Sequence, residues 1–308
     1  MVTQKPILNL FATVLTHAAP SSNYRGESEQ NRTVLQKIER SDGKYAIVSA
    51  DSIRNALRET VAKFDLPCNR ERVYDAGQLA VAFEDLPNPD RYIDDWAFGY
   101  LVADEKKYAK DMSHPAKRDS VIRLNLAVAL EKYRLDASLH QSPKSVEKPR
   151  TKVFWFNSKE SALLHRETSY TAFQYPFALA GRDCLAKPDW TKALLRGIAE
   201  LNDVAGGHAR NYFEFAPKSI VVRLTPKLVA GFETYGFDAT GQWGPIARLN
   251  ADDLPPEEFW LGGELVRNLT PDQAEALETA GAKLFANPDR LLTAVADAFL
   301  GGQSRAAA

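Results

Sequence analysis

Apolar and polar residues alternate along "VIRLNLAVALEKY" (121–133), with Ile122, Leu124, Leu126, Val128 and Leu130 set against Arg123, Asn125, Ala127 and Ala129. That period of two predicts a β-strand with one inward face. "ILNLFATVLTH" (7–17) is a nearly continuous apolar, β-compatible run, and "RETSYTAFQYPFALAG" (166–181) is strand-like in its Thr, Tyr and Phe content. "FEFAPKSIVVRLT" (213–225) predicts another strand, which Pro217 either interrupts or begins. The period changes to that of a helix in two places. "VSADSIRNALRET" (48–60), after the short extended run "YAIVS", puts Ile53, Leu57, Val61 and Phe64 on one face. Pro188 and an Asp189 N-cap open "WTKALLRGIAELNDV", in which Trp190, Leu194, Ile198 and Leu201 share a face before Gly206-Gly207 closes the helix.

In order these elements spell β-α-β-β-α-β. The expected class is α+β, the split βαβ pattern of ferredoxin-like and RNA-recognition (RRM) folds. There two helices cover one face of an antiparallel sheet and leave the other available. Two segments interrupt the pattern. Residues 65–120, with "LPNPD" and the basic "KKYAK", are too long and mixed for a loop and predict a helical insertion. Residues 137–163 carry five Lys+Arg against two Glu, two prolines and the cluster Phe154-Trp155-Phe156, and predict a projecting hairpin whose aromatics need a cover from elsewhere. Residues 226–308 end in a helix-like "PDRLLTAVADAFL" and a disordered-looking "GGQSRAAA".

The 308 residues and 44% hydrophobic content permit a sizeable core. No apolar run approaches the ~20 residues of a membrane span, and the N-terminus lacks a secretory pattern, so no membrane partner and a cytoplasmic location are expected. Cys68 and Cys184 are far apart and belong to no CxxC, which argues against a disulfide framework or a thiolate zinc site. The net charge of −1 hides an asymmetry: residues 201–308 hold nine Lys+Arg against 14 Asp+Glu, leaving 30 against 26 in residues 1–200. A local anionic partner on the first two-thirds is therefore compatible with a near-neutral total.

Candidate chemistry lies at the strand and helix ends. Arg54 and Arg58 stand one turn apart on the polar side of the first helix, with Asn55 beside them. Like charges at that spacing repel, so either a carboxylate and water absorb the cost or an anion sits between them. Ser49 and Ser52 at the start of this helix add hydroxyls to its free N–H groups. The loop over 18–32 places Asn23, Tyr24, Arg25 and Arg32 beside Gly26, and "AGGHARN" (205–211) joins two glycines to His208, Arg210 and Asn211. Spaced cations with aromatics suit single-stranded nucleic acid, RNA above all given the fold pattern. The enzyme reading has less to stand on. Five histidines, His17, His114, His140, His165 and His208, are scattered without HExxH, a Walker loop or GxSxG. His208 near Arg210 is the one candidate general acid or base for RNA cleavage. Metal ligation and cofactors have no support in the sequence. An interaction protein regulating a developmental programme without RNA is a third alternative.

"NYRGESEQNRT", "VSADSIRNALRE", "LLHRETSYTAFQYPFALAG" and "AGGHARN", in this order and separation over residues 1–225, resemble CRISPR-associated backbone subunits of type I Cascade complexes, in particular the DevR branch of the repeat-associated mysterious protein superfamily. The resemblance implies a hand. Its palm comes from residues 1–64, 121–136 and 164–225, its helical fingers from 65–120 and its β-hairpin thumb from 137–163. Residues 226–308 would complete the palm. It implies a non-catalytic ribonucleoprotein subunit holding guide crRNA, with target DNA recognised by RNA pairing and further copies of the chain stacked head to tail beside other Cascade subunits. Tyr24, Arg25, Arg32, Ser49, Ser52, Arg54, Asn55, Arg58, His208, Arg210 and Asn211 would contact the guide. Lys152, Phe154, Trp155 and Phe156 of the thumb would displace a base and be covered by the neighbouring copy. The first loop departs from the pattern in carrying Glu27 and Glu29. Related subunits of another CRISPR class cut RNA with an aspartate in this loop; none lies between Ala18 and Arg32, so no nuclease activity is expected. The alternative is an endoribonuclease that processes CRISPR precursor RNA through His208.

Overall fold

A computed structural model describes residues 6–29, 32–75, 78–103, 106, 110–143, 163–204, 212–251 and 253–301. The chain is mixed α and β, built on a nine-stranded sheet. Its strands are β1 (Asn9–Thr16), β2 (Lys37–Arg40), β3 (Gly43–Val48), β4 (Ile122–Leu124), β5 (Ala127–Ala129), β6 (Phe173–Leu179), β7 (Pro217–Thr225), β8 (Phe259–Gly263) and β9 (Lys283–Phe285). Side by side they run β9-β8-β7-β1-β6-β5-β3-β2, with β4 also against β6. Neighbours are antiparallel except β8 with β9.

Helices α1 (Ala50–Ala62), α2 (Pro188–Ala199) and α3 (Pro288–Gly301) lie on one face. Ile53, Leu57 and Val61, Leu194 and Ile198, and Leu291 and Val295 meet Leu10, Ala12, Val14, Phe173, Tyr175, Ile220 and Val222 of the sheet in one core. Gly197 lets α1 and α2 approach: a Cβ there would stand 2.8 Å from a Leu57 methyl and 3.0 Å from one of Val61. Gly197→Val should therefore destabilise the fold by about 1–3 kcal/mol, measured as a drop in the denaturation midpoint. The second helix is capped by Lys187, with Asp189 inside its first turn, and it stops at Ala199, ahead of the expected Gly206-Gly207 closure, which falls outside the described residues.

The other face is not available, contrary to expectation. Phe232, Phe237, Trp243, Leu249 and Leu254 from the C-terminal third cover Leu15, Val221, Phe259 and Leu261. Polar residues of the sheet are matched to the same cover: Thr13 Oγ1 donates to the Thr234 carbonyl at 2.9 Å, and the Gln174 amide exchanges two 3.0 Å bonds with the Phe237 backbone. Strands buried on both faces read as continuous apolar runs, which is why 7–17 lacked clean alternation.

The predicted strand 121–133 is broken. Leu124 pairs with Phe177 and Val128 with Gln174, so three residues of one strand oppose two of the other. This extra residue is a β-bulge, placed where Pro176 offers no N–H and its carbonyl instead accepts from Asn125 N at 3.3 Å. The bulge exchanges faces: Ile122 and Leu124 join the helix-side core, as do Ala127 and Ala129, while Leu130 packs with the opposite cluster. The run 166–181 is likewise divided into Leu163–Glu167, Ser169–Thr171 and β6.

Two further expectations change. Among the described residues, 65–120 is not mainly helical: it holds the hairpin Arg70–Asp75/Gln78–Phe83, the short helix Ile93–Phe98, the two-residue pair Tyr100–Leu101/Lys117–Arg118 and a helical Lys106. The hairpin strands "RERVYD" and "QLAVAF" are short and bring their own β-compatible residues, which a search for helical periodicity passes over. The loop 18–32 is also strand, as Ala19–Ser21, Tyr24–Glu29 and Arg32–Leu35. The last two form a four-stranded side sheet with Leu163–Glu167 and Ala137–Gln141, so the first loop and the base of the 137–163 segment are one structural unit.

Candidate functional site

The polar side of α1 opens onto a cleft of about 330 Å³ lined by Asp51, Ser52, Arg54, Asn55 and Arg58. Ser49 is the N-cap: its hydroxyl accepts from Ser52 N at 3.1 Å and lies 2.9 Å from the Ser52 hydroxyl. Both serines thus serve the helix start first, and a ligand there would meet the remaining first-turn N–H groups.

The two arginines differ. Arg54 is one-third exposed and reaches across to the next segment, donating to the Phe98 carbonyl at 2.5 Å and to the Ser120 hydroxyl at 3.5 Å, with Asp51 at 3.9 Å. Arg58 turns inward, 15% exposed, with its guanidinium 4.8 Å from the centre of the Phe98 ring. Arg58 Nε is buried without a hydrogen-bond partner, and its nearest carboxylate oxygen, on Asp94, is 4.0 Å away. Asp94 is already occupied by Asn69 N at 2.8 Å and Arg70 N at 3.1 Å. Asp95 likewise accepts from the Asn69 amide and from Asn88 N. Sequence reasoning missed Arg70, whose guanidinium donates to Asn55 Oδ1 at 2.9 Å and whose Nε is also buried and unpartnered. Its signal lay in "NRERVYD" beside "IDDWAF", where two adjacent acids in a buried short helix need donors.

Burial and the like charge of Arg70 pull the Arg58 pKa below its ordinary value; Asp94 opposes this and Arg54 adds to it. Three guanidinium groups therefore converge with too few acceptors between them, an arrangement that suits an incoming anion with several oxygens. Among the described residues no group of three His, Cys, Asp or Glu is placed to hold a metal ion. Burial pushes the Cys68 and Cys184 thiols up to about 12, which leaves neither poised as a nucleophile.

The other sequence candidates fall elsewhere. Tyr24 (45% exposed) and Arg32 (half-buried) sit on the side sheet, and Arg25 lies in the Tyr24–Glu29 strand, its side chain outside what is described. His208, Arg210 and Asn211, and Lys152, Phe154, Trp155 and Phe156, lie outside the described residues. A second residue that pattern reading missed holds the side sheet to the core. Glu167 is 2% exposed and accepts from Leu35 N at 2.7 Å, from Lys37 Nζ at 2.7 Å and from the Tyr133 hydroxyl. No helix among the described residues is long and apolar enough to cross a membrane.

No family model matches the chain. Two of the solved structures that share its fold are chains of RNA-guided complexes. One is a chain of a "CRISPR RNA-guided surveillance complex, pre-nicking", with a TM-score of 0.56 and 10% identity over 94% of this chain and 100% of that one. The other is a chain of a "CRISPR RNA-guided surveillance complex", with a TM-score of 0.54 and 11% identity over 94% and 99%. A curated relative, "CRISPR-associated protein Cas7/Cst2/DevR" of Myxococcus xanthus (strain DK1622), is 30% identical over 292 residues, covering 90% of this chain and 93% of the relative. With that identity sustained over nearly the full length of both sequences, the chain belongs to the CRISPR-associated Cas7/Cst2/DevR family.

Proposed function

We propose that this chain is a backbone subunit of a type I CRISPR effector, holding guide RNA by its phosphates so that the base edges stay free to pair with target DNA. The observation that carries the reading is the Arg58 guanidinium, largely buried between Arg54 and Arg70 with no hydrogen-bond acceptor among the described residues. A phosphate supplies what that cluster lacks: delocalised negative charge and several acceptor oxygens. Family membership and the surveillance-complex neighbours support the same assignment.

In this reading β1, α1, β4/β5, β6, α2 and β7 are an RRM-like palm, since their spatial order β7-β1-β6-β5 is that of a ferredoxin-like sheet. Residues 65–120 are fingers that bring Arg70 and Phe98 to α1, and 137–163 is the thumb. Residues 226–308 complete the palm by covering its second face. Ser52, Arg54, Asn55 and Arg58 form the phosphate site beside Ser49. Tyr24, Arg25, Arg32, His208, Arg210 and Asn211 extend it, and Lys152, Phe154, Trp155 and Phe156 displace a base. Guide RNA, further copies and other Cascade subunits are the partners, and the chain's role is binding rather than catalysis.

The test is purification from cells carrying a CRISPR array. The chain should co-purify with RNA of uniform length, lose it steeply with salt and discriminate little between RNA sequences. Protein that purifies free of nucleic acid and binds none would overturn the assignment. A discrete cut in precursor RNA that disappears in His208→Ala would transfer it to an endoribonuclease.

A further inference from the structure

α2 and α3 pack side by side on the helix face of the main sheet, and the residues that follow α1 close the trough between them. A 2.8 Å bond from Lys192, in the first half of α2, to Asp297, in the second half of α3, shows that the two helices run in opposite directions. The trough has a volume of about 590 Å³. Its floor is apolar: Leu66, Ala193, Leu292 and Ala296 line it, and the Phe64 ring, with the Arg196 guanidinium 4.0 Å from its centre, forms a wall. Two alanines at the bottom let a further helix come close, and a trough between packed helices is a seat for another by ridge-into-groove packing.

The rim is acidic. Asp189, Glu200, Asp289 and Asp297 line it against Lys192 and Arg196. Both cations are already occupied within the rim, Lys192 by Asp297 and Arg196 by Glu200 at 2.7 Å. Asp189 and Asp289 are exposed and make no ion pair or side-chain hydrogen bond among the described residues, Asp189 acting on Lys192 only at longer range. Each stands in the first turn of its helix, where the dipole favours an acid, yet its charge faces the trough. Because the helices are antiparallel, these two carboxylates lie toward opposite ends of the trough. Asp65, exposed between the wall residues Phe64 and Leu66, is a third carboxylate without an ion pair among the described residues.

We infer that this trough seats a basic amphipathic helix belonging to a protein other than this chain. The inference does not depend on the RNA reading. A stripe of small and aliphatic side chains on that helix lies over Ala193 and Ala296. Lys or Arg residues about three turns apart on its flanks reach Asp189 and Asp289, since α2 from Asp189 to Glu200 spans roughly 16 Å. Charge sets the occupant. RNA is repelled by a rim with two more acids than bases. A second copy has no helix to offer: among the described helices of eight residues or more, α1 gives Arg54 and Arg58 to the phosphate cleft, α2 and α3 build the trough itself, and Pro271–Thr279 carries acids alone.

The probe is a fluorescein-labelled helical peptide of about 16 residues, with leucine and alanine on one face and lysines flanking them. It is titrated into the full chain after RNA has been removed at high salt, because a basic peptide binds RNA as well. Anisotropy should show saturable binding. A scrambled peptide of the same composition, which keeps the charge and loses the apolar face, should bind at least about tenfold more weakly. Replacing both carboxylates, Asp189→Asn with Asp289→Asn, should weaken binding about fivefold and leave the denaturation midpoint in place. Thr293→Trp, at an exposed position lining the trough, should fill it and weaken binding about tenfold. From cells carrying the whole effector, the Thr293→Trp chain should purify with its RNA content unchanged and with one other protein depleted about tenfold. Equal binding of the two peptides, or binding indifferent to the asparagine substitutions, would overturn the site. So would a complex in which every other protein stays at the parental level, or one that loses only further copies of this chain, which would make the occupant a second copy. A chain that carries no RNA in cells would sink the functional reading alone, and the peptide titration would still decide the trough.

Discussion

Replacing Arg54 and Arg58 together by alanine should weaken binding of guide-length RNA about a hundredfold near physiological salt. Two charge-assisted contacts of roughly 1.5 kcal/mol each are lost, about 3 kcal/mol in all. The salt dependence should fall with it, by about 0.7 in log–log slope per phosphate contact removed from a single strand. The fold should survive. Arg58 makes no hydrogen bond among the described residues, and the carboxylate nearest it keeps two backbone N–H donors when the guanidinium is gone. Arg70 and Arg54 repel the Arg58 guanidinium while Asp94 and Asp95 attract it, so these charge effects oppose one another when it is removed. Arg54→Ala loses two bonds to Phe98 and Ser120, at a cost a denaturation curve will register as small. Charge reversal is the worse experiment, because a glutamate at 58 would face the buried Asp94 and confuse lost binding with lost folding. Filter binding at several salt concentrations, with circular dichroism on the same samples, checks both halves. Unchanged affinity with unchanged slope would remove these arginines from the RNA path.

The pattern of apolar positions made the central elements legible for a physical reason. α1 and α2 bury residues at a helical period against one core, and β1 and β7 are apolar on both faces, so each stands out along the sequence. The bulge between β4 and β5 was not legible, since the alternation in "VIRLNLAVAL" continues unbroken through the point where pairing slips, and only Pro176 on the partner strand hints at it. Nor was the cover on the second face. Phe232, Phe237 and Trp243 come from irregular segments between β7 and β8, and irregular chain has no period to read. At the site, the spacing of Arg54 and Arg58 marked the right helix, but similar residues four apart met different fates because Phe98 and Asp94 arrive from a segment over thirty residues away. Side-chain partners at such separation are set by tertiary packing.

Glu167→Ala should cost the fold about 3–5 kcal/mol, the penalty for breaking a buried ion pair whose surviving members stay buried. Lys37 Nζ, 19% exposed as a side chain, would lose its carboxylate, and Leu35 N–H and the Tyr133 hydroxyl would lose their acceptor. Each lies on a different piece of chain: Leu35 on the side sheet, Lys37 at the start of β2, Tyr133 after β5. One carboxylate thus joins the side sheet to the edge of the main sheet, and its loss should loosen the base of the 137–163 segment before the centre of the main sheet. Burial works against the charge on Glu167, but the bonds from Lys37, Tyr133 and Leu35 outweigh it and hold the carboxyl below the usual glutamate range. Burial, and after it the same contact, pushes the Tyr133 hydroxyl up. Because the folded value lies below the unfolded one, the stabilisation is complete above the ordinary glutamate pKa and shrinks as pH falls toward the depressed value. Urea denaturation of the parent chain and Glu167→Gln should therefore differ most at neutral pH and converge in acid. Hydrogen exchange at neutral pH separates the two halves of the claim: Leu163–Glu167 and Arg32–Leu35 should lose protection in the variant while β1 and β6 keep theirs. Equal loss in all four strands would mean that Glu167 supports the whole sheet, and no loss in any would mean that the contact adds nothing to it.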